Sequence, residues 1–512
     1  MTLFHTTLKS NSLLRSCLSS KHLRQWKFFG GSLTINSEQG SSTIYALSSG
    51  QGKCGVAVVR VSGFEALKAL QKMTNLSNPK SKTTFLRKIH DPETGEIIDK
   101  GLCLWFPGPK SFTGEDTVEF QVHGGSAILS SLMTALAKLG FRPAEPGEFT
   151  RRSFYNNKLD LTEIEGLADL IHAETEQQRK QALLQASGVH RELYENWRHT
   201  LMKNIAHLEA YIDFSEEENI ESDVLVNCND NLRELVEKLE NYLTDGRRGE
   251  ILRSGVKTVI LGKPNVGKSS LLNSLVRRDA AIVTSVAGTT RDIVELTSNI
   301  SGYPVLLADT AGLANNSKDF IEQEGIRRAR VYAINADFII LVVDAVEFVK
   351  SQKSIVNYIH DYMKNLELND LINNEREVKN YIIVMNKLDL IDSKMKNFFL
   401  KTLHENNIIG ISCVKKEGFS NLLDAMTKCF VKICGNPSRE NPTISQTRHR
   451  IHLTNCLNCL KNYFKLMSND NHDIVIATEE IRQAMKELGK VTGHVSNEQI
   501  LDIIFKDFCI GK

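Results

Sequence analysis

The sequence predicts a multidomain α/β protein: an N-terminal α+β domain, then a helical domain with an α/β domain inserted into it. Three observations carry this. Short alternating strands mixed with helical segments fill residues 42–158. Helical periodicity runs from Leu161 to about Leu243 and returns from about Arg448 to Phe508. Between Gly255 and about Cys429, strands and helices alternate, as in a parallel sheet flanked by helices. The implied boundaries are 42–158 for the first domain, 159–253 and 433–512 for the two parts of the helical domain, and 254–432 for the insert.

Length and composition agree with this division. The chain has 512 residues, room for about three domains of ~150 residues. Hydrophobic residues make up 41% and charged residues 24%, which excludes disorder over the whole length and collagen-like or disulfide-scaffold classes. The longest apolar run, Phe338 to Val343, suits one buried strand and falls far short of the ~18 residues of a membrane span.

Residues 1–37 contain Lys9, Arg15, Lys21, Arg24 and Lys27 and no Asp or Glu. Such a basic, Ser- and Leu-rich segment reads as a mitochondrial or plastid transit peptide, with mitochondrion the preferred destination. Although the formal charge is +2, the remaining chain is mildly acidic. Bulk charge therefore does not announce nucleic-acid binding, and any such binding would use local patches. The ten cysteines are scattered. Cys456 and Cys459 have no second pair at zinc-finger distance and read as packing thiols in a reducing compartment.

The elements follow in order. TIYALSS, GVAVVRVSG and LCLWFPG are strand-like, with Phe64 to Met73 at helical spacing between the second and third. DTVEFQVHGG alternates, and Ala127 to Leu139 reads as a helix closed by Gly140. In the helical region, Ile164, Leu167, Ala168 and Ile171 fall on one face. Cys434 to Gln446 is polar and reads as a linker.

VKTVIL is followed by Gly262-Lys-Pro-Asn265-Val266-Gly267-Lys268-Ser269, and the helical SLLNSLV begins at Ser270. This is G-x-x-x-x-G-K-S between a strand and a helix. Its glycines let backbone N–H groups converge on phosphate, and the helix N-terminus adds a favourable dipole. Lys268 would neutralise the β and γ phosphates, and Ser269 would ligate Mg2+. Asp309-Thr310-Ala311-Gly312 ends PVLLA; its Asp would hold Mg2+ through water, and the Gly312 N–H would sense the γ-phosphate. Asn386-Lys387-Leu-Asp389 ends YIIVM, and the Asp389 carboxylate can accept two hydrogen bonds from guanine that adenine cannot supply. Ser412-Cys413 fits a loop whose backbone meets guanine O6. The insert thus reads as a Ras-like P-loop GTPase domain using GTP and Mg2+. Leu313 stands where Ras-like proteins place the water-orienting Gln, and no Arg finger is assignable. Asn265 and the segment Thr284 to Thr290 resemble GTPases in which K+ supplies the missing positive charge.

The flanking segments are more specific. VRVSG (59–63), FTGEDTVEFQVHGG (112–125), RPAEPGEFTRRSFYNNKLDLTEIEGLADLI (142–171) and the terminal CIGK (509–512) resemble the MnmE (TrmE) family of tRNA-modifying GTPases over roughly 42–512. The resemblance implies a folate-binding, dimerising N-terminal domain and a FAD-dependent partner of the MnmG type. It also implies modification of C5 of wobble uridine 34 in organellar tRNAs. The one-carbon unit would come from 5-formyl- or 5,10-methylene-tetrahydrofolate, and an amine, glycine or taurine, would complete the group.

By the same resemblance, Arg60, Glu119, Lys158 and Lys512 correspond to folate contacts. Asn265, Thr284, Val286 and Thr289 match K+ ligands, Ser269 and Thr290 match Mg2+ ligands, and Glu322 matches a water-orienting glutamate. Cys509 is a candidate for chemistry at the tail. The family's A-T-P-P-G-x-G-G-V-G form is here ALSSGQGKCG, with Cys54 at a usually small position, which bears on loop shape. The competing reading is a K+-dependent GTPase of organellar ribosome assembly. That class shares the G motifs but lacks VRVSG, NNKLDL and CIGK.

Overall fold

A computed structural model describes residues 42–50, 52–214, 223–245, 247–278, 295–308, 331–366, 368, 380–401, 407–468, 473–495, 498–506, 508 and 511. The expected transit segment 1–37 lies outside them. Two compact units result: residues up to Lys158 together with Phe508 and Gly511, and residues from Leu159 onward to Lys506.

The first unit is built on one six-stranded sheet, β1 (Ile44–Leu47), β2 (Cys54–Ser62), β3 (Phe85–His90), β4 (Ile97–Phe106), β5 (Thr117–Gly124) and β6 (Arg142–Pro143), in the order β3-β4-β5-β2-β1-β6. All pairs are antiparallel except β1 with β6. Helices α1 (Ala66–Thr74) and α2 (Ser126–Lys138) share one core with Val59, Val61, Cys103 and Phe120 from one face of the sheet. On the opposite face, α3 (Glu148–Tyr155) places Phe149 over Ile44 and Ala46. Further along this sheet the paired Leu86 and Leu102 remain 55% and 38% exposed.

Strand β3, like β6 and α3, is an element that sequence reading passed over. It lies at the sheet edge, and of its residues only Ile89 is buried. Arg87 and Lys88 break the alternation, as charges on an edge strand do to discourage pairing with another chain.

The second unit begins with α4 (Leu161–His172), α5 (Glu176–Ala186), α6 (Val189–Phe214), α7 (Asp223–Leu243) and α8 (Arg248–Ser254). Capping boxes start α4, through Asp160 and Glu163, and α5, through Thr175 and Gln178. The inserted sheet holds β7 (Val256–Leu261), β8 (Glu295–Ile300), β9 (Tyr303–Ala308), β10 (Phe338–Asp344), β11 (Asn380–Asn386) and β12 (Ile408–Gly410), ordered β12-β11-β10-β7-β9-β8. Only the β8–β9 pair is antiparallel. FIILVV is its central strand β10, buried on both faces, which is why it reads as a continuous apolar run rather than an alternation. Around the sheet lie α9 (Lys268–Arg278), α10 (Ala345–Ser351), α11 (Ile355–Asn365), α12 (Ser393–Lys401) and α13 (Phe419–Cys434). The chain then returns to helices α14 (Thr447–Met467), α15 (Ile474–Thr492) and α16 (Glu498–Lys506).

Helices α14 and α15 close one core with α6 and α7 through Tyr194, Leu208, Leu232, Leu460 and Ile481, among others. Cys456 is fully buried in this core, and burial pushes its thiol pKa upward. Polar contacts tie the two halves of the bundle. The Glu165 carboxylate accepts from Arg448 Nε at 2.9 Å and pairs with His449 Nε2 at 2.6 Å. Arg450 bonds Asp245 at 2.6 Å and Glu250 at 2.8 Å, which fastens the chain where it enters the insert to the helix that follows its exit.

Burial alone would raise the pKa of Glu165, but His449 and Arg448 outweigh it and hold the carboxyl down at about 2. A carboxyl depressed on folding stabilises the native state above its unfolded value of about 4.3 and loses that contribution as pH falls toward the folded value. Glu165→Gln should therefore lower unfolding stability at neutral pH by roughly 3–5 kcal/mol, because it leaves the part-buried Arg448 guanidinium without its anion. In urea titrations the gap between wild type and variant should narrow as pH drops below about 4. A gap that stays constant to acid pH would mean that Glu165 is not the stabilising anion.

Candidate functional site

The phosphate loop begins where β7 ends. Asn265 and Gly267 both have positive φ, 60° and 101°. A Cβ at Gly267 would also strike the Asn386 amide, so this position needs glycine for space as well as conformation. Lys268 opens α9 and points its ammonium back over the loop, donating to the carbonyls of Gly262 and Lys263 at 2.8 Å each. Burial lowers its pKa. Ser269 and Ser270 are exposed in the first turn of α9, whereas Val266 is buried beneath the loop. A loop bounded by Gly262 and Gly267, an ammonium folded over it and hydroxyls on the first helical turn fit a Mg2+-bound polyphosphate.

Tyr362, which no motif had marked, holds the loop from below. Its hydroxyl accepts from Lys263 N at 2.8 Å and donates to Val342 O at 2.9 Å. In sequence it is one apolar position of an amphipathic helix, so nothing distinguished it from core.

The base-reading segments meet the phosphate loop through Asn386. This buried side chain donates to Val266 O at 2.9 Å and accepts from Cys413 N at 3.3 Å. One amide thus spans the phosphate loop, the end of β11 and the loop after β12. Lys387, at φ 68°, pairs with Asp344 at 2.7 Å. Ser412 donates to Asp389 Oδ1 at 2.5 Å, which orients the carboxylate meant for guanine. Burial pushes the Cys413 thiol up to about 11. Asp344 and Ser412 Oγ act as orienting groups that the motif reading had not assigned.

Thr284, Val286, Thr289, Thr290, Asp309, Thr310, Ala311, Gly312 and Glu322 lie outside the described residues, as do Cys509 and Lys512. The structure therefore describes residues 262–270, 386–389 and 412–413 but not the expected switch segments.

A second candidate site lies in the first unit. Arg60 on β2 and Glu119 on β5 are direct register partners, and the guanidinium bonds Glu119 Oε1 through Nη2 at 2.9 Å and Nε at 3.0 Å. The guanidinium carbon sits 5.6 Å from the centroid of Phe112 and 5.8 Å from that of Phe149, within cation–π range. Both ionic side chains keep about a fifth of their surface exposed (20% and 17%), so a ligand can reach them. Asn156 donates to Thr113 O at 2.7 Å, tying the end of α3 to the segment that carries Phe112. Lys158 follows two residues later with an exposed side chain. Gly511 belongs to this unit as well: its carbonyl accepts from Ser48 Oγ at 2.9 Å. Phe112, Phe149 and Ser48 are the participants that sequence reading missed. A cleft of about 420 Å3 lined by Asp169, His172, Gln181 and Arg253 contains none of the candidate nucleotide or folate residues.

With this geometry in view, the chain was compared with known proteins. The family model described as the MnmE helical domain matches residues 161–509, and that described as the GTP-binding protein TrmE N-terminus matches residues 43–158. The mitochondrial 5-taurinomethyluridine-tRNA synthase subunit GTPB3 of Danio rerio is 47% identical over 478 residues, covering 92% of this chain and 94% of the relative. The Homo sapiens protein of that name is 45% identical over 473 residues, covering 92% and 93%. The tRNA modification GTPase MnmE of Rickettsia bellii (strain RML369-C) is 45% identical over 478 residues, covering 92% and all of the relative.

Asp389→Asn should shift nucleotide preference from guanine toward xanthine, because an amide donates where the carboxylate only accepted. Competition between GTP and XTP for the purified protein measures it. Unchanged preference for GTP would remove Asp389 from the base contact.

Proposed function

The chain belongs to the MnmE/TrmE family of tRNA modification GTPases, and from this premise we propose that it is the GTP-hydrolysing subunit of a mitochondrial wobble-uridine-modifying complex. The product is an aminomethyl-type group on C5 of uridine 34. The GTPB3 relatives named for 5-taurinomethyluridine favour taurine over glycine as amine donor. The observation that carries the reading is that one chain holds both a phosphate loop tied to the base-reading segments by Asn386 and a separate Arg60–Glu119 pair of opposite charge.

Each residue has a definite task under this reading. Lys268 neutralises phosphate charge, and Asn386 with Ser412-oriented Asp389 selects guanine. Ser269 and Thr290 would hold Mg2+, which would supply positive charge to the phosphates. Asn265, Thr284, Val286 and Thr289 would hold K+, which would supply the positive charge that an arginine finger provides elsewhere. Glu322 orients water. Glu119 would read the donor edge of a pterin, Arg60, Lys158 and Lys512 are the cations proposed for folate carboxylates, and Cys509 is the proposed thiol of the tail.

The proposed organisation is a transit segment at 1–37, a folate-binding domain at 42–158, helical parts at 159–253 and 433–512 and a G domain at 254–432. The bare sheet face around Leu86 and Leu102 supports homodimerisation through the folate-binding domain. A FAD-dependent MnmG-type protein is the proposed partner, mitochondrial tRNA the substrate and the matrix the location. No helix among the described residues is long and apolar enough to cross a membrane.

Mass spectrometry of mitochondrial tRNA nucleosides from a deletion strain tests the function directly. Uridine 34 should lose its C5 substituent, and normal modification would sink the reading. GTP hydrolysis should run more than about tenfold faster in K+ than in Na+ at equal ionic strength, since a cation in the finger position is worth about 10³–10⁵. Arg60→Ala should weaken 5-formyltetrahydrofolate binding roughly 10–100-fold, the scale of a charge-assisted hydrogen bond, and leave GTP affinity unchanged. Calorimetry with wild-type folate affinity would discard the Arg60 assignment.

A further inference from the structure

The first loop of the N-terminal sheet carries two adjacent serines, Ser48 and Ser49, and both hydroxyls are in use. Ser48 N donates to Val58 O at 2.8 Å, and Ser49 Oγ accepts from Val58 N at 3.2 Å. These bonds hold the chain against β2 for two residues beyond the end of β1. Ser48 Oγ then faces outward from this fixed backbone and donates to Gly511 O at 2.9 Å, across 463 residues of sequence. A proline at position 48 could make neither the N–H nor the O–H bond.

The other side of the contact is equally constrained. Gly511 has φ 98°. A Cβ there would strike the Leu47 carbonyl oxygen and come within 2.8 Å of Leu47 C and 2.9 Å of Ser48 Cα. Glycine lets the terminal backbone lie against β1, and the hydroxyl secures it. Three residues earlier, Phe508 is buried at 3% exposure, a second attachment for the same segment.

The place of the contact matters. Ala46 is the register partner of Arg60. Ser48 is two residues further on, about 7 Å along the strand direction. The terminal segment is therefore fastened next to the Arg60–Glu119 pair.

We propose that Ser48 is a positioning residue that latches the C-terminal backbone at Gly511 beside the Arg60–Glu119 site, and that this hold sustains the one-carbon chemistry of that site. This rests on the folate reading of that site. Ser48 does not touch the reacting atoms; it acts through the segment that it holds.

The test uses the full-length protein with Ser48→Ala and Ser48→Thr. Hydrogen exchange of the C-terminal peptide should accelerate about fivefold in Ser48→Ala, the factor that one neutral hydrogen bond corresponds to, and return to wild type in Ser48→Thr. The kcat of tRNA modification should fall by a similar factor in Ser48→Ala with the KM for tRNA unchanged, and recover in Ser48→Thr. GTP hydrolysis and melting temperature should match wild type in both variants, which separates a latch from a general folding role. Unchanged exchange in Ser48→Ala would overturn the latch. Faster exchange with full modification would overturn its role in sustaining the chemistry. Folate binding by Arg60→Ala, measured in parallel, judges the underlying site separately, because tail exchange does not depend on folate.

Discussion

The second unit depends on closing one helical bundle from two stretches of chain with a whole sheet domain between them. Apolar packing among α6, α7, α14 and α15 supplies most of the contact area, but such packing is tolerant of register. The buried carboxylate of Glu165 is not tolerant. It needs a cationic partner, and the returning segment supplies the Arg448 guanidinium together with the His449 ring bonded beside it. An ion pair of this kind adds little net stability over an apolar replacement, yet leaving one member unpaired is costly. It therefore penalises incorrect closures of the bundle. Arg450 repeats the device in the same turn of α14 by binding Asp245 and Glu250, at the point where the chain departs for the insert.

That closure also gives the insert its footing. The turn between β8 and β9 rests on the start of α5, where Gln177 N donates to Gly302 O at 3.1 Å. Tyr303 reaches the linker through its hydroxyl, 3.0 Å from Asn436 Oδ1. In the nucleotide site a single amide does comparable work. Asn386 joins the phosphate loop to the loop carrying Cys413, so phosphate and base recognition share one rigid framework. Pre-organisation of this kind reduces the ordering that a ligand must impose.

In the first unit the sheet itself performs the assembly. Antiparallel register sets Arg60 opposite Glu119, and α3 with the Phe112 segment adds aromatic faces around the guanidinium. Both ionic groups are satisfied by one another and still reachable, so a ligand with a donor edge and an anionic tail could replace the pair with two matched contacts. The terminal segment joins this unit although the residues just before it belong to the other. Sequence position alone had grouped those residues with the last helices.

The sequence by itself determined the elements with strong local signals. FIILVV had to be a fully buried strand, and Gly262 to Ser269 had to be a strand–loop–helix phosphate cradle, because spacing and glycine requirements leave little else. Lys268, Asn386 and Asp389 were legible for the same reason: their chemistry is bound to short motifs. Arg60 and Glu119 were legible only by resemblance, since an arginine and a glutamate on separate strands carry no local sign that they will meet. Tertiary structure decided the rest. It made β3 an edge strand, put Tyr362 under the phosphate loop, closed Glu165 on Arg448 and brought Gly511 to Ser48. Each of these joins residues far apart in the chain whose types are common on any surface or in any core. Local sequence encodes backbone preference and burial, whereas which buried or half-buried partners finally meet is a property of the packed whole.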